Sequence, residues 1–200
     1  RPERIDMSQG AAYSTPVVPA KRLNKLLNSR WSFATNIRLH GIGYIYTMSS
    51  ESHYNHTALV RPTGCKELRL AHNYCKTQMI WRTLDMLGIS LQNSCVLDLA
   101  CGRGGDINKL KGCKRYTGID SALMALAELK RRANEIGMEV EVHHQDAGEY
   151  SAQQSGYDIV LCNFALHYFC NTREHCAKLI ATAAHAMRPG AAWCGTYEAV

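Results

Sequence analysis

From residue 68 the apolar positions Leu68, Leu70, Ala71, Tyr74, Cys75, Met79, Ile80, Leu84 and Leu87 recur at helical spacing, and Gly88 follows as a stop. The pattern predicts a long amphipathic helix. The period then changes. Residues 95–99 form a short apolar run of the kind a strand buried on both faces shows, residues 105–110 open a helix, and 116–119 make a second strand. A helix over 121–136 is predicted with Ser121 as its cap and Gly137 beyond its end, followed by strands at 140–143 and 157–162. A last helix at 172–187 is halted by Arg188-Pro189-Gly190 before a fifth strand at 192–197. Strands alternating with helices imply an α/β fold with a parallel sheet covered on both faces. Such doubly wound sheets bind ligands at the carboxyl ends of their strands, near the point where strand order reverses.

The first fifty-two residues break this pattern: they hold prolines at 2, 16 and 19, one β-like run at 42–47 and no sustained period. Charge separates the same two regions. Of the net +6, the first fifty residues carry +5, from Arg1, Arg4, Lys21, Arg22, Lys25, Arg30 and Arg38 against Glu3 and Asp6. Residues 1–52 are therefore read as a basic arm or the end of a preceding domain, and 53–200 as the folded domain. A basic arm on a neutral body suits a polyanion such as nucleic acid, and equally suits a solvated leader.

Residues 96–106 read VLDLACGRGGD. Straight after a buried strand, Gly102, Gly104 and Gly105 let backbone approach a ligand with no Cβ in the way. Asp120 ends the second strand eighteen residues after Gly102, where a carboxylate can accept hydrogen bonds from both hydroxyls of a ribose. A loop and an acid so placed leave two candidates, NAD and S-adenosylmethionine. Asp98 separates them. At the end of the first strand it would repel the diphosphate of a dinucleotide, whereas S-adenosylmethionine brings an ammonium, a carboxylate and a sulfonium to that place. The loop is read as an S-adenosylmethionine site, against the plainer reading of a glycine turn used for packing. Asp146, after the third strand, and Asn163, ending the fourth, stand at the same edge as ligand contacts or as turn residues.

With NFALHYF at 163–169 added, the sequence closely resembles the messenger RNA cap guanine-N7 methyltransferases. HYN at 53–55 is similar to that family's entry motif, LRLAHNYCKTQMI at 68–80 to its leucine-arginine, paired-asparagine, lysine helix, and MRPGAAWCGT at 187–196 to its fifth-strand region. The likeness spans about residues 53–197. It implies a Rossmann-like class I S-adenosylmethionine-dependent methyltransferase fold, doubly wound and mostly parallel. Beside Asp98, it implies cofactor contacts at Lys76 for the methionine carboxylate, at Ala100 and Gly102 in the loop, at Asp120 for the ribose, at Asp146 for the adenine, and at Asn163 and Tyr168. The cap contacts it implies are Asn73, Arg103, Lys109 and Arg132 around the triphosphate and His167 beside the guanine. The sequence departs from the family at Ala100, where glycine is usual, at His72 and Tyr74 for asparagine and tryptophan, at Arg103 for lysine, and at Asn163 for glutamine. None of these reverses a charge. Family members also continue past the fifth strand with two more strands, a guanine-binding glutamate and a late tyrosine. With these last strands missing, the chain is expected to bind cofactor better than it methylates a cap.

The implied reaction is methyl transfer from S-adenosylmethionine to N7 of the guanosine cap. Guanine N7 offers a lone pair without losing a proton, so no catalytic acid or base is named. His167 and Tyr168 are read as positioning groups. The partners expected are RNA with a GpppN end and a capping-enzyme partner or fused guanylyltransferase domain. The rival readings are another RNA or small-molecule methyltransferase and a non-catalytic, methyltransferase-like RNA-binding subunit. Nine cysteines, an odd number without a Cys-x-x-Cys pair, read as reduced core thiols, and the cluster His167, Cys170, His175, Cys176 matches no familiar metal spacing. No apolar run reaches the length of a membrane span and no signal-peptide pattern opens the sequence. An intracellular site is expected, the nucleus for a cellular protein and the cytoplasm or virion for a viral one.

Overall fold

The computed structural model describes residues 66–151 and 155–197, so the arm at 1–52 and the motif at 53–55 lie outside the described residues. The first helix, α1, is Lys66–Leu87, and Gly88 ends it with φ of 62°. Its apolar pattern divides along its length, a correction to the single amphipathic face expected. Ile80 and Leu84 are buried, whereas Leu68, Leu70 and Tyr74 are exposed. Its C-terminal half supplies the buried contact with the core.

The chain continues with β1 (Cys95–Leu99), β2 (Arg115–Asp120), α2 (Leu123–Glu135), β3 (Glu141–His144), β4 (Tyr157–Leu161), α3 (Leu166–Phe169), α4 (Arg173–Ala186) and β5 (Met187–Cys194). All five strands pair in parallel in the order β3-β2-β1-β4-β5. Strand order runs outward from β1 to β3 and then restarts on the other side at β4. The reversal therefore falls between β1 and β4 and opens a crevice at their carboxyl ends.

The sheet is buried on both faces, which is why β1 and β4 read as continuous apolar runs rather than alternating ones. On one face Val96, Ile159 and Leu161 pack with Ile80, Leu84, Leu126 and Leu129 from α1 and α2. On the other, Leu97, Leu99 and Val160 pack with Leu179 and Ala183 of α4. Each such fully buried aliphatic side chain stabilises the fold by about 1.5–3 kcal/mol.

Several expected boundaries are corrected. Residues 105–110 open no α-helix: they hold a single 3-10 turn, Ile107–Lys109, where Lys109 turns back to Asp106 at 2.8 Å. Ser121 does not cap α2. The cap position is Ala122, and the helix start is held by Asp120, whose Oδ1 accepts from the Ala122 amide at 2.8 Å. The fifth strand begins at Met187, so Arg188-Pro189-Gly190 belongs to the strand and not to a break before it. Arg188 reaches across to Asp158 of β4, which draws this segment into the sheet. Pairing runs from Tyr157 with Met187 to Ile159 with Ala192, so the ladder is irregular between them and Pro189, with no N–H, is accommodated there. β3 starts one residue later than expected, and β4 stops at Leu161, leaving Asn163 beyond the strand. The short helix α3 was not legible in the sequence pattern. It carries His167 and Tyr168.

Candidate functional site

A cavity of about 340 Å³ lies at the carboxyl ends of the strands, within the size range of small-molecule sites. Its wall begins with the loop after β1. Ala100, Gly102 and Gly104 all have positive φ, at 57°, 53° and 70°. For Ala100 this left-handed conformation costs about 1–2 kcal/mol, and it gives a physical reason for glycine at that place in the resembling family. At Gly104 a Cβ would stand 2.8 Å from Leu129 Cγ, so the loop closes onto α2 only with glycine there. Asp120 fastens the loop from β2: its Oδ2 accepts from the Gly102 amide at 2.7 Å while Oδ1 holds Ala122. Burial raises the Asp120 carboxyl above its usual range against the opposing pull of those amides.

Asp106, the last residue of the loop motif, joins three segments. Lys76 of α1 donates to both its oxygens at 2.8 and 3.0 Å, Lys109 to Oδ1 at 2.8 Å, and Asn163 Nδ2 to Oδ2 at 3.1 Å. Burial pulls its carboxyl up, but the two ammonium groups outweigh this and hold it below the usual range. Asn163 extends the network, its Oδ1 accepting from both the amide and the hydroxyl of Thr196 at 3.2 Å. Lys76 also lies 5.7 Å from the centre of the Phe164 ring, and Phe164 has φ of 54°. That turn brings Phe164 against His72, with ring centres 4.5 Å apart.

On the opposite side Asp146 borders the cavity and meets His175 of α4 at 3.2 Å. Asp98 is 3% exposed and accepts from the Tyr116 hydroxyl at 2.9 Å. Burial, with Asp106 nearby, lifts its carboxyl to about 7.

The structure brings all eight residues read as cofactor contacts, Lys76, Asp98, Ala100, Gly102, Asp120, Asp146, Asn163 and Tyr168, to the wall of this one cavity. The residues read as cap contacts are more dispersed. Arg103 borders the cavity and lies 3.8 Å from Glu128. Asn73 and Lys109 are joined to each other at 3.0 Å beside it. Arg132 turns onto Glu128 at 2.7 Å, and the His167 ring lies 3.9 Å from that of Tyr168 on α3. Asp106, Phe164 and His175 are among the wall residues that were not singled out in the sequence for this site. Asp106 could have been found as the acid closing the glycine loop. Phe164 and His175 had no signal, because their place depends on a backbone turn and on how α4 docks. Among the described residues no group of three or more histidine, cysteine or acidic side chains is arranged to hold a metal, and none of the described helices is long and apolar enough to cross a membrane.

The wall chemistry fits S-adenosylmethionine. Asp120 is fixed against the glycine loop, and four acidic side chains, Asp98, Asp106, Asp120 and Asp146, face a space whose lysine is shared with Asp106 and whose arginine, Arg103, lies near Glu128. A cationic ligand is favoured in such a place and an anionic dinucleotide is not.

A methyltransferase-domain family model matches residues 96–190. Among curated proteins, mRNA cap guanine-N(7) methyltransferase 1 of Oryza sativa subsp. japonica is 30% identical over 118 residues, covering 51% of this chain and 32% of the relative. The mRNA cap guanine-N(7) methyltransferase of Caenorhabditis elegans is 26% identical over 165 residues, covering 72% and 43%. A ubiquinone biosynthesis O-methyltransferase of Aromatoleum aromaticum is 35% identical over 98 residues, covering 48% and 40%. The chain thus spans less than half the length of these relatives. Among solved structures, N-methyltransferase NodS of Bradyrhizobium japonicum, in complex with S-adenosylhomocysteine, matches with a TM-score of 0.56 at 18% identity, over 69% of this chain and 67% of that one. An S-adenosylmethionine-dependent methyltransferase of Clostridium acetobutylicum matches with a TM-score of 0.55 at 16% identity, over 72% and 55%.

Proposed function

From the premise that this chain is a class I S-adenosylmethionine-dependent methyltransferase in fold and cofactor, and a divergent relative of the mRNA cap guanine-N7 methyltransferases, we propose that it serves transfer of the methyl group to N7 of the guanosine cap of messenger RNA. The observation that carries the reading is the convergence of the family's motifs. Lys76 from the lysine helix, the loop at Ala100 and Gly102, and Asn163 and Tyr168 from NFALHYF all border one cavity.

When bound, S-adenosylmethionine supplies a methyl group activated on a sulfonium. The protein's own part is placement. Asp120 presents a carboxylate toward the ribose and keeps Gly102 in position. Asp146, steadied by His175, offers an acceptor to the adenine. Lys76 lies where the methionine carboxylate is expected, with Asp106 fixing its ammonium. Arg103, Lys109 and Asn73 put positive and polar groups on the side proposed for the triphosphate, where basic side chains lower the cost of bringing phosphates together. His167 and Tyr168 bound the guanine side. No side chain has to remove a proton from N7, so the chemistry rests on alignment of the attacking nitrogen, methyl carbon and sulfur. The basic run before residue 53 adds contacts to phosphates beyond the cap.

The test is methyl transfer by the 200-residue chain, alone and extended at its C-terminus, to RNA ending in GpppN, with ApppN ends, uncapped RNA and a phenolic small molecule as comparisons. Transfer restricted to GpppN is expected, reduced at least tenfold by His167→Ala with little change in S-adenosylmethionine affinity. Transfer to the phenol and not to GpppN would replace this reading with that of a small-molecule O-methyltransferase.

A further inference from the structure

His167, Cys170, His175 and Cys176 stand close together in the sequence without a metal spacing, and the fold brings the two cysteines into contact. Cys170 is the residue that ends α3 and is exposed, whereas Cys176 lies in the first turn of α4 and is half-buried. The Cys170 thiol donates to the Cys176 sulfur across 3.9 Å. The backbone between them is preset. Asn171 Oδ1 accepts from the Thr172 amide at 2.8 Å, Thr172 Oγ1 caps α4 by accepting from the His175 amide at 3.1 Å, and the Thr172 carbonyl accepts from the Cys176 amide at 3.2 Å. Two sulfurs held in this way meet at an effective concentration far above that of a thiol in solution, so a bond between them is favoured over one to a second molecule.

The same turn of α4 serves the cavity. His175, the neighbour of Cys176, meets Asp146 on the cavity wall at 3.2 Å, and its ring lies 4.9 Å from that of Phe169, the residue before Cys170. A disulfide is about 2.0 Å long, so closing the pair shortens the gap by about 1.9 Å and draws α3 and the first turn of α4 together. The contact between His175 and Asp146, already at the long end of the hydrogen-bond range, is the one placed to give way.

We propose that Cys170 and Cys176 are a modification site which hydrogen peroxide closes to an intrachain disulfide and, resting on the S-adenosylmethionine reading, that closure loosens Asp146 and weakens the hold on the cofactor. The step balances. The Cys176 sulfur attacks one peroxide oxygen, the O–O bond breaks, and the departing hydroxide leaves as water with the thiol's proton. The Cys170 sulfur then displaces hydroxide from the sulfenic acid at Cys176, and its own proton leaves with that hydroxide as a second water. The two sulfurs lose the two electrons that the peroxide gains. Burial and the neighbouring thiol push Cys170 up to about 11, which keeps it a thiol until the second step.

The test treats the 200-residue chain with hydrogen peroxide, blocks the remaining thiols with iodoacetamide and maps the tryptic peptides by mass spectrometry. Trypsin cuts after Arg173, between the two cysteines, so the link should appear as two peptides joined through Cys170 and Cys176, separated by dithiothreitol and absent from Cys170→Ser. Calorimetry with S-adenosylmethionine should show affinity falling about fivefold on oxidation, the worth of one hydrogen bond at the pocket wall. Dithiothreitol should restore it, and peroxide should leave the affinity of Cys170→Ser and Cys176→Ser unmoved. No link between these two cysteines, or a link that leaves affinity unchanged, overturns the proposal. Should the reduced, unaltered chain bind no S-adenosylmethionine, the cofactor reading has failed and the effect on the pocket with it, while the peptide map still decides the disulfide.

Discussion

Replacing Gly195 by alanine perturbs the place where the sheet and the cavity wall meet. A Cβ built on Gly195 would stand 2.0 Å from the carbonyl oxygen of Cys162 and 2.9 Å from its carbonyl carbon. An ordinary carbon–oxygen contact is about 3.3 Å, so one of the two backbones would have to retreat by about 1.3 Å. Neither is free to do so. The Cys162 amide donates to the Cys194 carbonyl at 3.1 Å, the Phe164 amide to the Thr196 carbonyl at 2.7 Å, and Asn163 Oδ1 holds Thr196 by two further bonds at 3.2 Å. Breaking two of these contacts at about 1 kcal/mol each, with some burial lost around Trp193 and Cys194, gives a destabilisation of about 2–4 kcal/mol. For a chain of this size that lowers Tm by about 5–12 °C. Because the same displacement carries Asn163 and Phe164, S-adenosylmethionine affinity should fall with stability. Urea unfolding followed by circular dichroism, with calorimetry of cofactor binding, measures both. A Gly195→Ala variant within about 0.5 kcal/mol of the parent would refute the reasoning, since it would mean that the two backbones do not approach as closely as the structure has them.

Two further outcomes are expected. Ala100→Gly removes an alanine from φ of 57°, and the relief of about 1–2 kcal/mol, less the extra freedom glycine gives the unfolded chain, should leave a net gain of about 0.5–1 kcal/mol in urea unfolding; a loss of stability would contradict that conformation. Asp106→Ala takes the carboxylate from Lys76 and leaves Lys109 with only the neutral acceptors of Asn73 and Gly105, both lysine side chains being 12% exposed, and should cost about 2–4 kcal/mol by thermal or urea unfolding and weaken S-adenosylmethionine binding at least tenfold; unchanged values in both would show that the carboxylate does not organise the site.

What the sequence determined by itself was the alternation of strand and helix, because burial on both faces leaves a continuous apolar run and a helix packed on a sheet leaves a 3.6-residue period. β1 was legible to the residue, and the glycine loop with Asp98 and Asp120 identified the cofactor, since their charge and spacing act locally on whatever lies at the strand ends. The same local logic failed wherever a distant partner decided the outcome. Arg188-Pro189-Gly190 reads as a break and became strand because Asp158 of β4 holds Arg188 and a ladder irregularity accommodates the proline. Residues 105–110 read as a helix start and became one 3-10 turn around Asp106, whose partners come from α1 and from beyond β4. Leu68, Leu70 and Tyr74 fit the helical stripe yet stay exposed, because periodicity says which side of a helix is apolar but not how far along its length the sheet extends. Above all, the ion pair at the loop is a property of the packed pocket. Lys76, thirty residues earlier in the chain, turns to Asp106, and only the folded arrangement of α1 against the loop decides that.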